Sequence, residues 1–254
     1  MFSRFALLLT LFIATTANAA EGSREANFDY PESKNQLANL IKYPDKVTGK
    51  VSLILSCVSR IQPSGKMKET GCYQNNQYES VFAATVVKAA KKARMNPAIV
   101  NGRPSEIYLQ FRIEFLRESE VRDKDKDEDK EEDKDGDDDG KAAAEQFVYL
   151  YANPGYEENV LAYGFEHVAG QRVIGKNEPW NDACPNHANY TVLVRAHLSE
   201  EGKAENPTIE FTNGLRPIET CLTAIKRTIV ASAYTPATSE GVPVPSTYIE
   251  FFGN

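Results

Sequence analysis

The string Pro97-Ala98-Ile99-Val100-Asn101-Gly102-Arg103-Pro104 has a counterpart late in the chain, Pro236-Ala237-Thr238-Ser239-Glu240-Gly241-Val242-Pro243. In both, Gly stands five residues and Pro seven residues after the first proline. A pattern written twice must fold twice, so this repeat limits the fold more than any other feature. Counting back 15, 11 and 7 residues from each first proline gives Phe82, Val86 and Ala90 in one copy and Cys221, Ile225 and Ile229 in the other. Steps of four place each set along one helix face. Ahead of the helices, turn signals stand at Gly65-Lys66 and Gly202-Lys203, 32 and 34 residues before the prolines, so the copies differ by a small indel. After the prolines come alternating strands, Ile107, Leu109, Phe111, Ile113 and Phe115 in one copy and Thr247 to Phe252 in the other. The unit reads strand, turn, strand, helix, strand. The fold class is therefore α+β: two small antiparallel sheets, each covered by one helix.

The cysteines fit this unit. Cys57 ends the alternating run Val51 to Cys57, Cys72 follows the turn at Ser64-Gly65, and their midpoint of 64.5 falls on that turn. A hairpin there sets the two opposite each other, and exclusion pairs Cys184 with Cys221. This is one of three possible connectivities. A rival use of Cys184, with His187 in a C-x-x-H pair, lacks the second matching pair that a zinc site needs. Disulfides imply export, and residues 1–20 read as a signal peptide: Arg4, an apolar run from Phe5 to Ala14 broken by Thr10, then Ala17-Asn18-Ala19. That run is about half of the ~20 residues a spanning helix needs, so the expectation is a periplasmic protein without an anchor once the signal is cleaved.

Charge is concentrated in one place. The 254 residues carry a formal charge of −7, and residues 118–141 hold 14 acids and 6 bases, a net of −8. The remainder is close to neutral, which excludes a strongly basic nucleic-acid binder. No apolar side chain lies between Arg122 and Lys141, so nothing there offsets ordering entropy and the segment reads as a disordered acidic loop. Asp135, Asp137, Asp139 and Gly140 match the start of a calcium loop, but position twelve is Gln146, with Glu145 one place early. Loose screening by divalent cations is the expectation there, not a specific metal site.

Smaller elements complete the reading. Leu37, Leu40 and Ile41 suggest a short helix, and Phe147 to Tyr151 reads as a strand returning alongside Ser105 to Phe115. Asn153-Pro154-Gly155 is a turn, with a short helix around Asn159 to His167. The expected divisions are 21–42 as an N-terminal segment, 43–117 as the first unit, 142–188 as a connecting segment and 189–254 as the second unit. His167, His187 and His197 belong to no nucleophile motif, and no phosphate or dinucleotide loop occurs, so neither enzymatic activity nor a cofactor is expected. Trp180 reads as a packing residue near Cys184.

The run Gly49-Lys50-Val51, the hairpin after it, the stretch Ala89 to Pro104 and the pair Tyr43-Pro44 together resemble the TonB C-terminal domain family. The resemblance covers about residues 43 to 116, and 190 to 252 more faintly. It implies the strand-strand-helix-strand fold and docking of an envelope protein or peptide by β-strand addition, in which main-chain hydrogen bonds supply affinity. The implied docking edge is Ser105 to Phe115, with Ile107, Leu109, Phe111 and Ile113 on the strand and Tyr43 and Pro44 nearby; Ser246 to Phe252 is its counterpart. Energy transducers of that family have a membrane-spanning start and a proline-rich spacer, whereas the 13 prolines here are scattered. The implied role is thus a periplasmic binding module and not a transducer. The alternative is a structural or divalent-ion-responsive envelope protein acting through the acidic loop.

Overall fold

The computed structural model describes residues 22–45, 47–117, 145–185 and 187–253. The expected signal peptide and the acidic segment, with its Asp135 to Gly140 string, lie outside the described residues.

In the first unit, β1 (Val51–Ile61) turns into β2 (Met67–Cys72) and leads to the helix Gln77–Ala90, which is α2 because a short α1 (Leu37–Leu40) precedes it. A small hairpin of β3 (Ala98–Val100) and β4 (Arg103–Ser105) follows, then the long β5 (Ile107–Arg117). The connecting segment supplies β6 (Gln146–Tyr151), α3 (Glu157–Tyr163), β7 (Gln171–Val173) and α4 (Pro179–Ala183). The second unit repeats the first. Its elements are β8 (Tyr190–Leu198), β9 (Ala204–Gly214), α5 (Glu219–Ala231), β10 (Tyr234–Thr235), the hairpin β11 (Ala237–Ser239) with β12 (Val242–Val244), and β13 (Ser246–Gly253).

The repetition reaches single residues. Strand order is β5-β1-β2 in one unit and β13-β8-β9 in the other, so the third strand lies beside the first in both. The turns share their bonds: Gln62 N–H donates to Lys66 O and Gly65 N–H to Gln62 O, as Ser199 N–H does to Lys203 O and Gly202 N–H to Ser199 O. Three residues after Lys66 and after Lys203, Glu69 and Asn206 hold φ of 49° and 52°, and each ladder shifts register close by. The proline motif is a two-residue hairpin in both copies. Asn101-Gly102 has φ of 50° and 72° and Glu240-Gly241 has 52° and 78°, the left-handed pair that a type I′ turn requires.

Two cores follow from the alternation. Phe82, Val86 and Ala90 of α2 pack on Leu55, Phe111, Ile113 and Phe115, while Ile225 and Ile229 of α5 pack on Val192, Val194 and Leu198. Asn76 caps α2 by accepting the Glu79 N–H at 2.9 Å, and Glu79 Oε2 accepts the Asn75 N–H at 2.6 Å. Cys57 stands directly opposite Cys72 and is bonded to it, and Cys184 is bonded to Cys221 in the inward helix position that Phe82 holds in the first copy. With Cys184 so committed, the C-x-x-H metal reading falls. Two disulfides point to an oxidising compartment outside the cytoplasm. No described helix is long and apolar enough to cross a membrane.

The first sheet is larger than the repeat predicts. It has six strands in the order β10-β7-β5-β1-β2, with β6 also paired to β5. β6 lies where expected, antiparallel along Arg112 to Arg117. The helix expected near Asn159 to His167 begins and ends earlier, because Gly164 at φ 78° terminates α3.

Candidate docking edges

A strand edge can accept a peptide only where its outward N–H and C=O groups are unpaired. On β5 most of them are paired. β6 takes Arg112 to Arg117, and β7 takes Ile107 and Tyr108. The connecting segment therefore covers the edge expected from Ser105 to Phe115 on both sides of a short gap at Leu109 to Phe111, too short for a strand to add. Ile107, Leu109, Phe111 and Ile113 are fully buried. Their side chains make the first core and present nothing to a partner. Tyr43 packs edge-on against Phe82 and Phe115, with the Arg117 guanidinium 5.1 Å above its ring, and Pro44 is buried beside it. These six residues come together around one core and not along an open edge.

The corresponding edge on β13 is closed by side chains. Asn159 of α3 donates from Nδ2 to Thr247 O at 2.8 Å and accepts the Thr247 N–H on Oδ1 at 2.9 Å, the two bonds a neighbouring strand would make. Tyr163 OH donates to Pro245 O at 2.6 Å, and Gln110 Nε2 donates to Ile249 O at 2.5 Å while its Oε1 accepts from Tyr156 OH. One connecting segment thus occupies the third-strand edges of both units, with β6 and β7 on one and α3 on the other. The N-terminal segment is held in the same manner: Gln171 accepts the Ala26 N–H at 2.7 Å and donates to Ala26 O at 2.9 Å.

A buried charge network fixes this segment. Arg172 of β7 donates from Nε and Nη2 to the two oxygens of Glu250 at 2.7 and 2.8 Å, and from Nη1 to Glu178. Trp180 Nε1 completes Glu178 at 2.8 Å and Tyr248 OH completes Glu250 at 2.6 Å. Burial alone would lower the Arg172 pKa, but the carboxylates beside it raise it well above its ordinary value. Burial, with Glu250 next, pushes Tyr73 up to about 12 and raises Tyr108 and Tyr248 well above the phenol range. A cavity of about 420 Å³ adjoins the network. Arg172, Glu178 and Glu250 are committed to one another within it, which is the arrangement of a structural clamp. Trp180 belongs to this clamp and packs edge-on against Phe252 at 5.2 Å. Of the histidines, His197 is exposed on β8, His187 lies against Trp180, and His167 is buried. No group of three or more His, Cys, Asp or Glu suited to a metal occurs among the described residues.

Among the described residues, the open edges of the two large sheets include those of the second strands and of β6. β2 is six residues long, and its Lys66 end is bridged by Arg94. β6 is also six residues, with Phe147 and Tyr149 exposed and stacked at 6.2 Å. β9 is eleven residues long, and from Glu205 to Thr212 no described backbone group bonds to its outer side. Its first half is guarded by Glu205, by the left-handed Asn206 and by Pro207, devices that discourage pairing. Its second half carries one charge, Glu210, and leads into exposed apolar residues: Phe211, Leu215 and Ile218 are 49, 70 and 56% exposed. Ile209 packs on the second core, so Phe211, two residues on, shares the helix-covered face. The signal for this edge was in the sequence, since β9 outruns β2 after the turn, but the indel alone does not say which strand it lengthens. Family models, curated proteins and solved structures include none that matches this chain.

Proposed function

We propose that the chain is a periplasmic protein-interaction module of two TonB-like units that docks an extended segment of an envelope partner by strand addition to β9. The observation that carries this reading is the unpaired outer edge of β9 beside Phe211, Leu215 and Ile218. A strand added there gains main-chain bonds along Thr208 to Thr212, and its alternate side chains cover apolar surface beside α5. The edge differs from the one the family resemblance implies, because the connecting segment covers most of that one. The test is site-specific photocrosslinking in the cell that makes the protein, with a benzophenone amino acid in place of Phe211 and, as control, of the similarly exposed Ile54 on β1. Discrete adducts at Phe211 and none at Ile54 are expected. No adduct at Phe211, or the same adducts at both positions, would sink the reading.

A further inference from the structure

A groove of about 370 Å³ runs between the end of α1 and the C-terminal half of α2. Three lysines stand over it: Lys42 after α1, Lys88 in the last turn of α2, and Lys92 in the turn that follows the helix. None makes an ion pair among the described residues. One acid, Asp45, shares the groove. Three cations against one acid leave a local positive potential over the groove, which an anionic ligand can neutralise. Leu40, Tyr43 and Ala89 give the groove apolar walls. Inorganic anions would leave those walls wet, whereas a peptide can place carboxylates against the lysines and an apolar side chain between them.

We infer that this groove is a docking site for an acidic peptide segment of a partner protein, distinct from the β9 edge and independent of it. Carboxylates of the peptide meet Lys42, Lys88 and Lys92, and its apolar side chain lies against Leu40 and Tyr43. The charge of the chain supports the occupant. Outside residues 118–141 the sequence is close to neutral, yet this groove gathers three cations against one anion, a local excess a like-charged partner would avoid.

The test is fluorescence anisotropy of a labelled short peptide of glutamate and leucine, titrated with the full chain at low and high salt. Binding that weakens with salt, and that Lys88→Glu/Lys92→Glu reduces about tenfold while Lys66→Glu/Lys203→Glu changes it less than about twofold, is the expected result. Equal losses in both double variants would reduce the effect to net charge and overturn the site. Vesicles containing phosphatidylglycerol form a second arm. Binding to them with the same lysine dependence, and none to the peptide, would overturn the peptide in favour of a membrane surface. A variant lacking residues 118–141 forms the third arm. Peptide binding by that variant alone would overturn partner docking, because the chain's own acids would then fill the groove.

Discussion

Buried amides and one buried histidine determine which parts of this surface are available. Asn153, fully buried, donates to Phe165 O and His167 O at 2.8 and 2.7 Å and so shapes the loop after α3. Beside it the Arg112 guanidinium lies between the rings of Tyr151 and Phe165, 4.4 and 4.6 Å from their centroids, with no hydrogen-bond partner for Nε among the described residues. The two ring faces supply the attraction that an acid would otherwise provide. His167 Nδ1 donates to Gly164 O at 2.6 Å, and Nε2 has no partner among the described residues. Burial pushes the His167 pKa below 6.5, and the Arg112 charge pushes the same way, so the folded state holds the neutral ring. The unfolded state therefore binds more protons below that value. Stability is unaffected at alkaline pH and falls as pH drops below about 6.5, levelling off below the depressed folded pKa. Urea unfolding from about pH 7.5 to 5 measures this, and His167→Phe should flatten that part of the slope. An unchanged slope would show that other groups carry it. None of these roles was legible in the sequence, where an Asn or His in a loop has no periodicity to betray its partner.

Each unit's elements owe their geometry to a few left-handed positions. Gly65 has φ of 77°, and a Cβ there would stand 2.2 Å from Met95 O, while Gly102 has φ of 72° with open space around it. The two separate conformational cost from close approach. Gly102→Ala should cost about 1 kcal/mol through the backbone alone. Gly65→Ala must also displace the backbone at Met95 and should exceed about 3 kcal/mol, as measured by denaturant midpoints. Comparable losses at both sites would mean that the turn can move. These elements were readable in advance because the signals are local: glycine at the turns, alternation in Ile107 to Phe115 and four-residue steps in Phe82, Val86 and Ala90. β7 and β10 escaped notice, being three and two residues long, too short for any period to register.

At the scale of the whole molecule, the connecting segment carries the buried charges that join the two units, beside the direct Gln110–Ile249 bond. β7 and β10 extend the first unit's sheet, and Arg172 of β7 reaches Glu250 of β13 and Glu178 at the start of α4. Removing the cation would strand two buried carboxylates, so Arg172→Met should cost about 3–5 kcal/mol. Arg172→Met/Glu250→Gln/Glu178→Gln should recover a large part of that loss if charge, and not shape, is at fault. Thermal unfolding of the single and triple variants reads both. A triple variant no more stable than the single one would identify packing as the clamp's contribution.

The sequence by itself determined the duplicated unit, its strand-strand-helix-strand order and both disulfides. Each rests on spacing within tens of residues, which backbone geometry converts directly into turns, faces and a cross-strand pair. Only the tertiary structure decided which edges are open. That depends on side chains meeting backbone from far along the chain, Gln171 with Ala26 at a separation of 145 residues and Gln110 with Ile249 at 139. Such contacts form because a buried N–H or C=O must find a partner once the layers have packed, and which side chain supplies it is fixed by proximity in space and not by any pattern along the chain.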